Sequence, residues 1–136
     1  MPAAEREICG LVNGLASQIG AHVRERAVKL GLTAAQATAL RELTGPMTMS
    51  ELADRMDCEP SNATVVVDRL ESRGVLERRP HPTDRRAKQL ILTPDGADLR
   101  KRLLELLSEE SPLAALTPEE QGVLHDLLQR AIVRRA

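Results

Sequence analysis

The sequence predicts a mainly α-helical domain carrying one small β-hairpin, and three observations lead to that reading. Threonines 33, 48, 93 and 117 each open an apolar run at helical spacing. After Gly74 the period changes from helical to extended, over residues 75–79 and again over 88–92. Between two of the helical runs stands Pro60, which cannot continue the first but suits the opening position of the second.

The elements follow in order. Residues 4–29 place Ile8, Leu11, Val12, Leu15, Ile19 and Val23 on one side of a long helix, which Gly31 closes. Thr33-x-x-Gln36 is a capping box for a second helix with Ala37, Leu40 and Leu43, stopped by Gly45-Pro46. A third helix starts at Thr48 or Ser50, because in Thr48-x-x-Glu51 each side chain can satisfy the other residue's backbone N–H. It turns Leu52, Ala53 and Met56 inward. Residues 57–60 are then a turn, and a fourth helix runs from Pro60 with Val66, Leu70 and the flank of Val67 as its apolar stripe. Gly74 supplies the left-handed cap after Arg73. Two strands follow, the second with Leu90 and Leu92 on one face. Thr93-Pro94 opens a fifth helix through Leu99, Leu103, Leu106 and Leu107, broken at Ser111-Pro112. Thr117-Pro118-Glu119-Glu120 opens the last, combining a cap, a proline at the first position and acids at the positive dipole end. Its stripe is Val123, Leu124, Leu127, Leu128, Ala131 and Ile132.

Two short helices, a turn and a hairpin with a basic tip make the layout of a winged helix-turn-helix, which points to double-stranded DNA. The exposed start of the fourth helix, Ser61, Asn62, Thr64 and Val65, offers short polar or methyl-bearing side chains to base edges, and the helix terminus suits a phosphate. Asn62 bonding only to its own backbone is the alternative. The hairpin tip, Pro80-His81-Pro82-Thr83-Asp84-Arg85-Arg86, is too stiff and too charged for a core, and its arginines suit phosphates and narrow minor grooves. Arg69 and Arg73 either reach phosphate or are solvated and paired with nearby acids. From Arg69 to Lys88 seven Lys or Arg (Arg69, Arg73, Arg78, Arg79, Arg85, Arg86, Lys88) face three acids (Glu71, Glu77, Asp84), a local net of +4 in a chain of net −1. Residues 103–128 hold six acids and no Lys or Arg, so charge is segregated as a one-sided polyanion surface requires.

The run Leu52-Ala53, Pro60-Ser61-Asn62, Val67-Asp68-Arg69-Leu70-Glu71-x-x-Gly74, Asp84-Arg85-Arg86 and Leu92-Thr93-Pro94-x-Gly96 resembles the MarR family of bacterial transcriptional regulators. The resemblance extends over essentially the whole chain, and Asp-x-Arg followed by Leu-Thr is its most specific part. It implies a single domain, residues 1–136, in which 33–93 form the winged DNA-binding region and 1–32 and 94–136 supply dimerisation helices. It implies that Arg86 enters the minor groove, held by a salt bridge from Asp84, while Ser61, Asn62, Thr64 and Val65 approach the major groove. It also implies a repressor released by a small-molecule effector bound between the dimerisation and winged regions. The Leu-rich terminal stripes predict a two-fold homodimer on a pseudo-palindromic operator, with completion of a monomer's core as the alternative. His22, near the apolar face of the first helix, is the one named effector-binding candidate; a structural histidine is the alternative.

Composition excludes several other classes. The chain has 136 residues, 42% of them apolar, and no Phe, Tyr or Trp, so stacking of single-stranded bases on aromatics is unavailable. Two cysteines cannot build a disulfide framework. No run approaches a membrane span and the start lacks a signal-peptide pattern, so the expected location is cytoplasmic, on the nucleoid. His22, His81 and His125 fall in separate elements, without zinc-site spacing, and no nucleophile motif or phosphate loop is present; no metal, no cofactor and no enzymatic activity are expected. Some relatives in the resembled family sense peroxide through a first-helix cysteine beside activating tyrosines. Cys9 lies near that place without any tyrosine, so a redox switch competes with a buried or half-buried filler. Cys58 reads as a small residue in a tight turn. The remaining alternative is a winged protein-interaction module without an operator, which the intact Asn62, Arg85 and Arg86 oppose.

Overall fold

The computed structural model describes residues 1–132, so the end of the expected 94–136 segment lies outside it. The described elements run α1 (Ala3–Val28), α2 (Ala34–Glu42), α3 (Met49–Arg55), α4 (Pro60–Ser72), β1 (Leu76–Pro80), β2 (Lys88–Leu92), α5 (Pro94–Ser108) and α6 (Pro118–Ala131). The chain divides into two compact units, Gly20–Glu109 and Met1–Ile19 with Glu110–Ala136.

In the unit Gly20–Glu109 the core is built from leucine, valine, alanine and Met47, with Gln36 the one buried polar residue among those described. Leu40 and Leu43 from the second helix and its end, Leu52 from α3, Val67 and Leu70 from α4, Leu76 and Leu90 from the hairpin and Leu103 from α5 are sealed from solvent. The inward stripe of α4 is Ala63, Val67 and Leu70, with Val66 only half-buried. The predicted stripe through Val66 is therefore rotated by one position, because Ala63 lets α4 approach its neighbours closely.

Helix ends decide how these elements turn. Thr33 and Gln36 form the reciprocal box, with Gln36 N–H donating to Thr33 Oγ1 at 3.1 Å and Thr33 N–H to Gln36 Oε1 at 3.2 Å. The box predicted at Thr48 is only half made. Glu51 N–H donates to the Thr48 hydroxyl, but the Glu51 carboxylate accepts that same hydroxyl's proton and leaves the Thr48 N–H alone. Three helices end in the same paired pattern of left-handed caps, at Gly31, Asp57 and Gly74. At Asp57, with φ of +53°, Cys58 N–H reaches Ala53 O at 3.0 Å and Asp57 N–H reaches Asp54 O at 3.1 Å, which sets the turn into α4. No glycine announced that cap.

The hairpin pairs Leu76 with Leu92 through Pro80 with Lys88. Its first strand starts one residue later than the 75–79 expected, because Val75 is spent on caps: its N–H donates to Leu70 O and its carbonyl accepts from Thr93 N–H. Met47 bonds to Leu90 on the other edge of β2, a one-residue bridge hidden behind the Gly45-Pro46 stop signal. Of the predicted face of β2, Leu90 is buried and Leu92 half-buried. α5 ends at Ser108, before Ser111-Pro112, because Glu109 is extended and Glu110 adopts a φ of +52°.

Arginines close the far end of α2. Arg100 on α5 donates Nε–H to Leu40 O at 2.8 Å and Nη2–H to Arg41 O at 2.9 Å, while Arg55 on α3 donates to Glu42 O and the Thr44 hydroxyl. These satisfy carbonyls that a helix C-terminus leaves without intrahelical partners. Arg100→Ala is expected to lower stability by about 1–3 kcal/mol, read as a lower urea midpoint at unchanged slope. An unchanged midpoint would mean that water replaces both bonds without loss.

In the other unit the apolar stripes are uncovered. No residue of α6 is buried. Ile8, Leu11 and Val12 are 59%, 74% and 45% exposed, and Val123, Leu127 and Ile132 are 60%, 53% and 66% exposed. The spacing of both stripes is as predicted, but among the described residues of this unit they bury no hydrophobic side chain fully.

Candidate nucleic-acid interface

Four helices, α2, α3, α5 and α6, are each opened by a threonine hydroxyl; α4 is not. Its cap residue, Glu59, makes no side-chain bond to the helix start, Pro60 occupies the first position, and the first turn holds no acid. Pro60 has no N–H, and the Asn62 and Ala63 N–H groups turn back to Glu59 O, so the start of α4 offers an anion the Ser61 N–H and the positive dipole end. Ser61, Asn62 and Val65 are exposed there, with Val65 at 56% despite being apolar. No hydrogen bond to the protein engages the Ser61 or Asn62 side chain among the described residues. Thr64, expected to be exposed, is half-buried, because its hydroxyl turns inward to donate to Pro60 O at 2.9 Å.

The basic residues divide into two groups. Arg78 forms an ion pair with Asp68 and so ties β1 to α4; Arg79 pairs with Glu77 along the strand. Arg73 donates to Gly31 O at 2.8 Å, fastening the end of α4 to the loop before α2. Those three position the site. Arg69, Arg85, Arg86 and Lys88 are exposed and have no protein partner among the described residues. The local surplus of +4 is thus reduced by Asp68, one residue outside the stretch counted, and a smaller set of four cations remains available.

The wing tip is built from backbone donors. The His81 N–H donates to Ala87 O, the Ala87 N–H to Asp84 O, and the Arg86 N–H to Asp84 Oδ1 at 3.0 Å. Asp84 therefore holds Arg86 by its main chain. The expected salt bridge to the Arg86 guanidinium is not formed, because the carboxylate folds back on its own loop as aspartate does in turns. Thr83 N–H and Asp84 N–H both point to Nδ1 of His81, at 3.2 and 3.1 Å. Sequence reasoning passed over His81, Asp68 and Arg78 as functional positions. A signal for His81 existed in an acceptor side chain two and three residues before the donors of a turn.

The other candidates lie elsewhere. His22 Nε2–H donates to Leu107 O at 2.8 Å, joining α1 to α5, and the residue lines neither of two cavities of about 280 and 310 Å³. The first is bounded by Leu43–Pro46, Ile91, Leu92, Ala97 and Arg100, the second by the start of α3 and the hairpin. Cys9 is exposed, which removes its reading as a buried or half-buried filler within one chain; Cys58 is half-buried. Among the described residues no group of His, Cys, Asp or Glu is placed to hold a metal ion, and no helix is long and apolar enough to cross a membrane.

Comparison with known proteins gives this geometry relatives. The HTH-type transcriptional repressor MdtR of Bacillus subtilis (strain 168) is 32% identical over 117 residues, covering 76% of this chain and 76% of MdtR. A MarR variant from E. coli, solved in complex with operator DNA, superposes with a TM-score of 0.72 at 26% identity, covering 93% of this chain and 94% of that one. Bordetella bronchiseptica BpsR, solved to explain how 6-hydroxynicotinic acid regulates its DNA binding, shares the fold with a TM-score of 0.73 at 24% identity over 92% of this chain and 98% of BpsR. Residues 32–88, from just before α2 to the first residue of β2, match the profile of the MarR family. With that match, the identity to MdtR across three quarters of each chain and the helical fold with its hairpin wing, the chain belongs to the MarR family of transcriptional regulators and is not an enzyme.

Proposed function

We propose that the chain is a repressor that reads a pseudo-palindromic operator as a two-fold homodimer. The observation that carries this is the pairing, within one compact unit, of an uncapped α4 start bearing Ser61, Asn62 and Val65 with a wing whose Arg85 and Arg86 have no protein partner. Residues 33–93 are the DNA-binding region. Ser61, Asn62, Thr64 and Val65 approach the major groove, Arg69 and Lys88 meet phosphate, and Arg85 and Arg86 reach the minor groove, with Asp84 and Arg73 as positioning residues. Residues 1–32 and 94–136 make the dimer. The uncovered stripes of α1 and α6 supply apolar area that a second copy would bury. Two recognition helices then lie roughly 34 Å apart, one turn of duplex. The working location is the cytoplasm, at the nucleoid.

Release by a small-molecule effector follows the precedent of BpsR. With no aromatic residue in the chain, such a ligand is held by polar and aliphatic contacts rather than by ring stacking. At His22 only Nδ1 remains for it, since Nε2 is bonded to Leu107.

The test is fluorescence anisotropy of labelled duplexes spanning the DNA upstream of the protein's own gene, at two salt concentrations with random duplex as competitor. Competitor-resistant binding is expected, and Asn62→Ala is expected to change the preferred sequence more than the salt slope. Equal, salt-abolished binding to every duplex would refute sequence-specific repression and favour an interaction module. Sedimentation as a monomer at micromolar concentration would refute the dimer.

A further inference from the structure

We propose that His81 is the positioning residue of the wing, and that the neutral imidazole is required for the wing to present Arg85 and Arg86. The inference rests on the wing contacting DNA, and it starts from the backbone donors of the loop. Pro82 has no N–H, so the first two donors beyond His81 are those of Thr83 and Asp84. Both go to the same acceptor, Nδ1 of His81, at 3.2 and 3.1 Å. The Thr83 hydroxyl lies 3.4 Å from that atom as well. Of the donors that remain, Arg86 N–H goes to the Asp84 carboxylate and Ala87 N–H to the Asp84 carbonyl. Two side-chain acceptors, His81 Nδ1 and Asp84 Oδ1, thus take three of the main-chain N–H groups of the tip.

Two backbone N–H groups aimed at Nδ1 require a lone pair there, which fixes the tautomer with its proton on Nε2. A second proton would turn the acceptor into a donor facing two donors. Imidazole is the side chain that changes charge between about pH 5 and 8. The tip therefore opens on acidification, and Arg85 and Arg86 lose their fixed aim.

The sign of this effect separates it from plain electrostatics. Added positive charge beside DNA would strengthen binding as pH falls. Loss of the Nδ1 acceptor weakens it. The charged groups of the hairpin itself are Glu77, Arg78, Arg79, Asp84, Arg85, Arg86 and Lys88. The helices packed on its strands carry Glu51, Asp54 and Arg55 on α3, Asp68, Arg69 and Glu71 on α4, and Asp95, Asp98, Arg100, Lys101, Arg102 and Glu105 on α5, of which only Asp68 is bonded to the hairpin, through Arg78. His22 and His125, the other two histidines, contribute equally to wild type and to a variant at position 81.

Asparagine is the informative replacement, because its Oδ1 sits as far from Cβ as Nδ1 does and accepts from the same two N–H groups without titrating. The test is duplex affinity from pH 8 to pH 5.5 for wild type, His81→Asn and His81→Ala. Wild type is expected to lose affinity on acidification, His81→Asn to match wild type at high pH and hold its affinity, and His81→Ala to bind about tenfold more weakly throughout. Wild-type affinity in His81→Ala, or identical pH profiles for wild type and His81→Asn, would overturn the proposal. The amide resonances of Thr83 and Asp84 give a readout independent of DNA. They are expected to move with the His81 ring in wild type and to stay fixed in His81→Asn. If no duplex binds at any pH, the DNA-binding reading fails while these amides still judge His81; amides that ignore the ring overturn the proposal.

Discussion

Gly96→Ala is expected to unfold the winged unit or to cost at least about 3 kcal/mol, the upper range of overpacking effects. A Cβ built on Gly96 would stand 1.8 Å from the carbonyl oxygen of Val75 and 2.7 Å from its carbon. Both are main-chain atoms, so no side-chain rotation relieves the clash. The Val75 carbonyl accepts from Thr93 N–H, and the Thr93 hydroxyl donates to Gly74 O at 2.6 Å while it accepts from Gly96 N–H at 3.0 Å. Moving α5 away to admit a methyl group breaks the cap of α5, the tie to the end of α4 and the base of the hairpin together. Urea unfolding followed by helical circular dichroism measures the loss. A midpoint within about 0.5 kcal/mol of wild type, the range of ordinary surface changes, would mean that α5 does not start against Val75.

Arg86→Ala is expected to weaken duplex binding about tenfold or more at low salt and to reduce the slope of log affinity against log salt by about one. Its guanidinium has no protein partner, so its removal disturbs no internal bond, and the Arg86 N–H to Asp84 contact survives the substitution. The structure also separates two roles for Asp84. An ion pair to the guanidinium would be lost in Asp84→Asn, whereas a main-chain acceptor is kept by the amide oxygen. Asp84→Asn is therefore expected to bind DNA nearly as wild type, and Asp84→Ala to fall toward Arg86→Ala. Normal binding by Arg86→Ala would remove the wing from the interface.

Much of the molecule was legible in the chain because its signals are local. Threonine caps, Pro60, Gly31 and Gly74 act within one turn of backbone, and every helix they announced is formed within a few residues of its predicted bounds. The fold class, the basic tip and the exposed residues of the α4 start were determined by that local chemistry. So was the spacing of the α1 and α6 stripes, although a spacing cannot state whether its own chain covers it: Val23 is buried, while Ile8, Leu11, Val12, Val123 and Leu127 stay exposed.

Tertiary structure alone decided which like residues do unlike work. Seven basic residues read as one patch, yet Arg78 is drawn to Asp68 and Arg73 to a carbonyl 42 positions away, because folding brought those acceptors within reach. Asp57 took a left-handed cap usually left to glycine, and Asp84 turned to its own loop instead of to the arginine side chain. His81 gained its place from two donors that only the folded tip aims at one nitrogen atom. Sequence spacing fixes which backbone groups lack partners, and three-dimensional proximity selects the side chains that satisfy them.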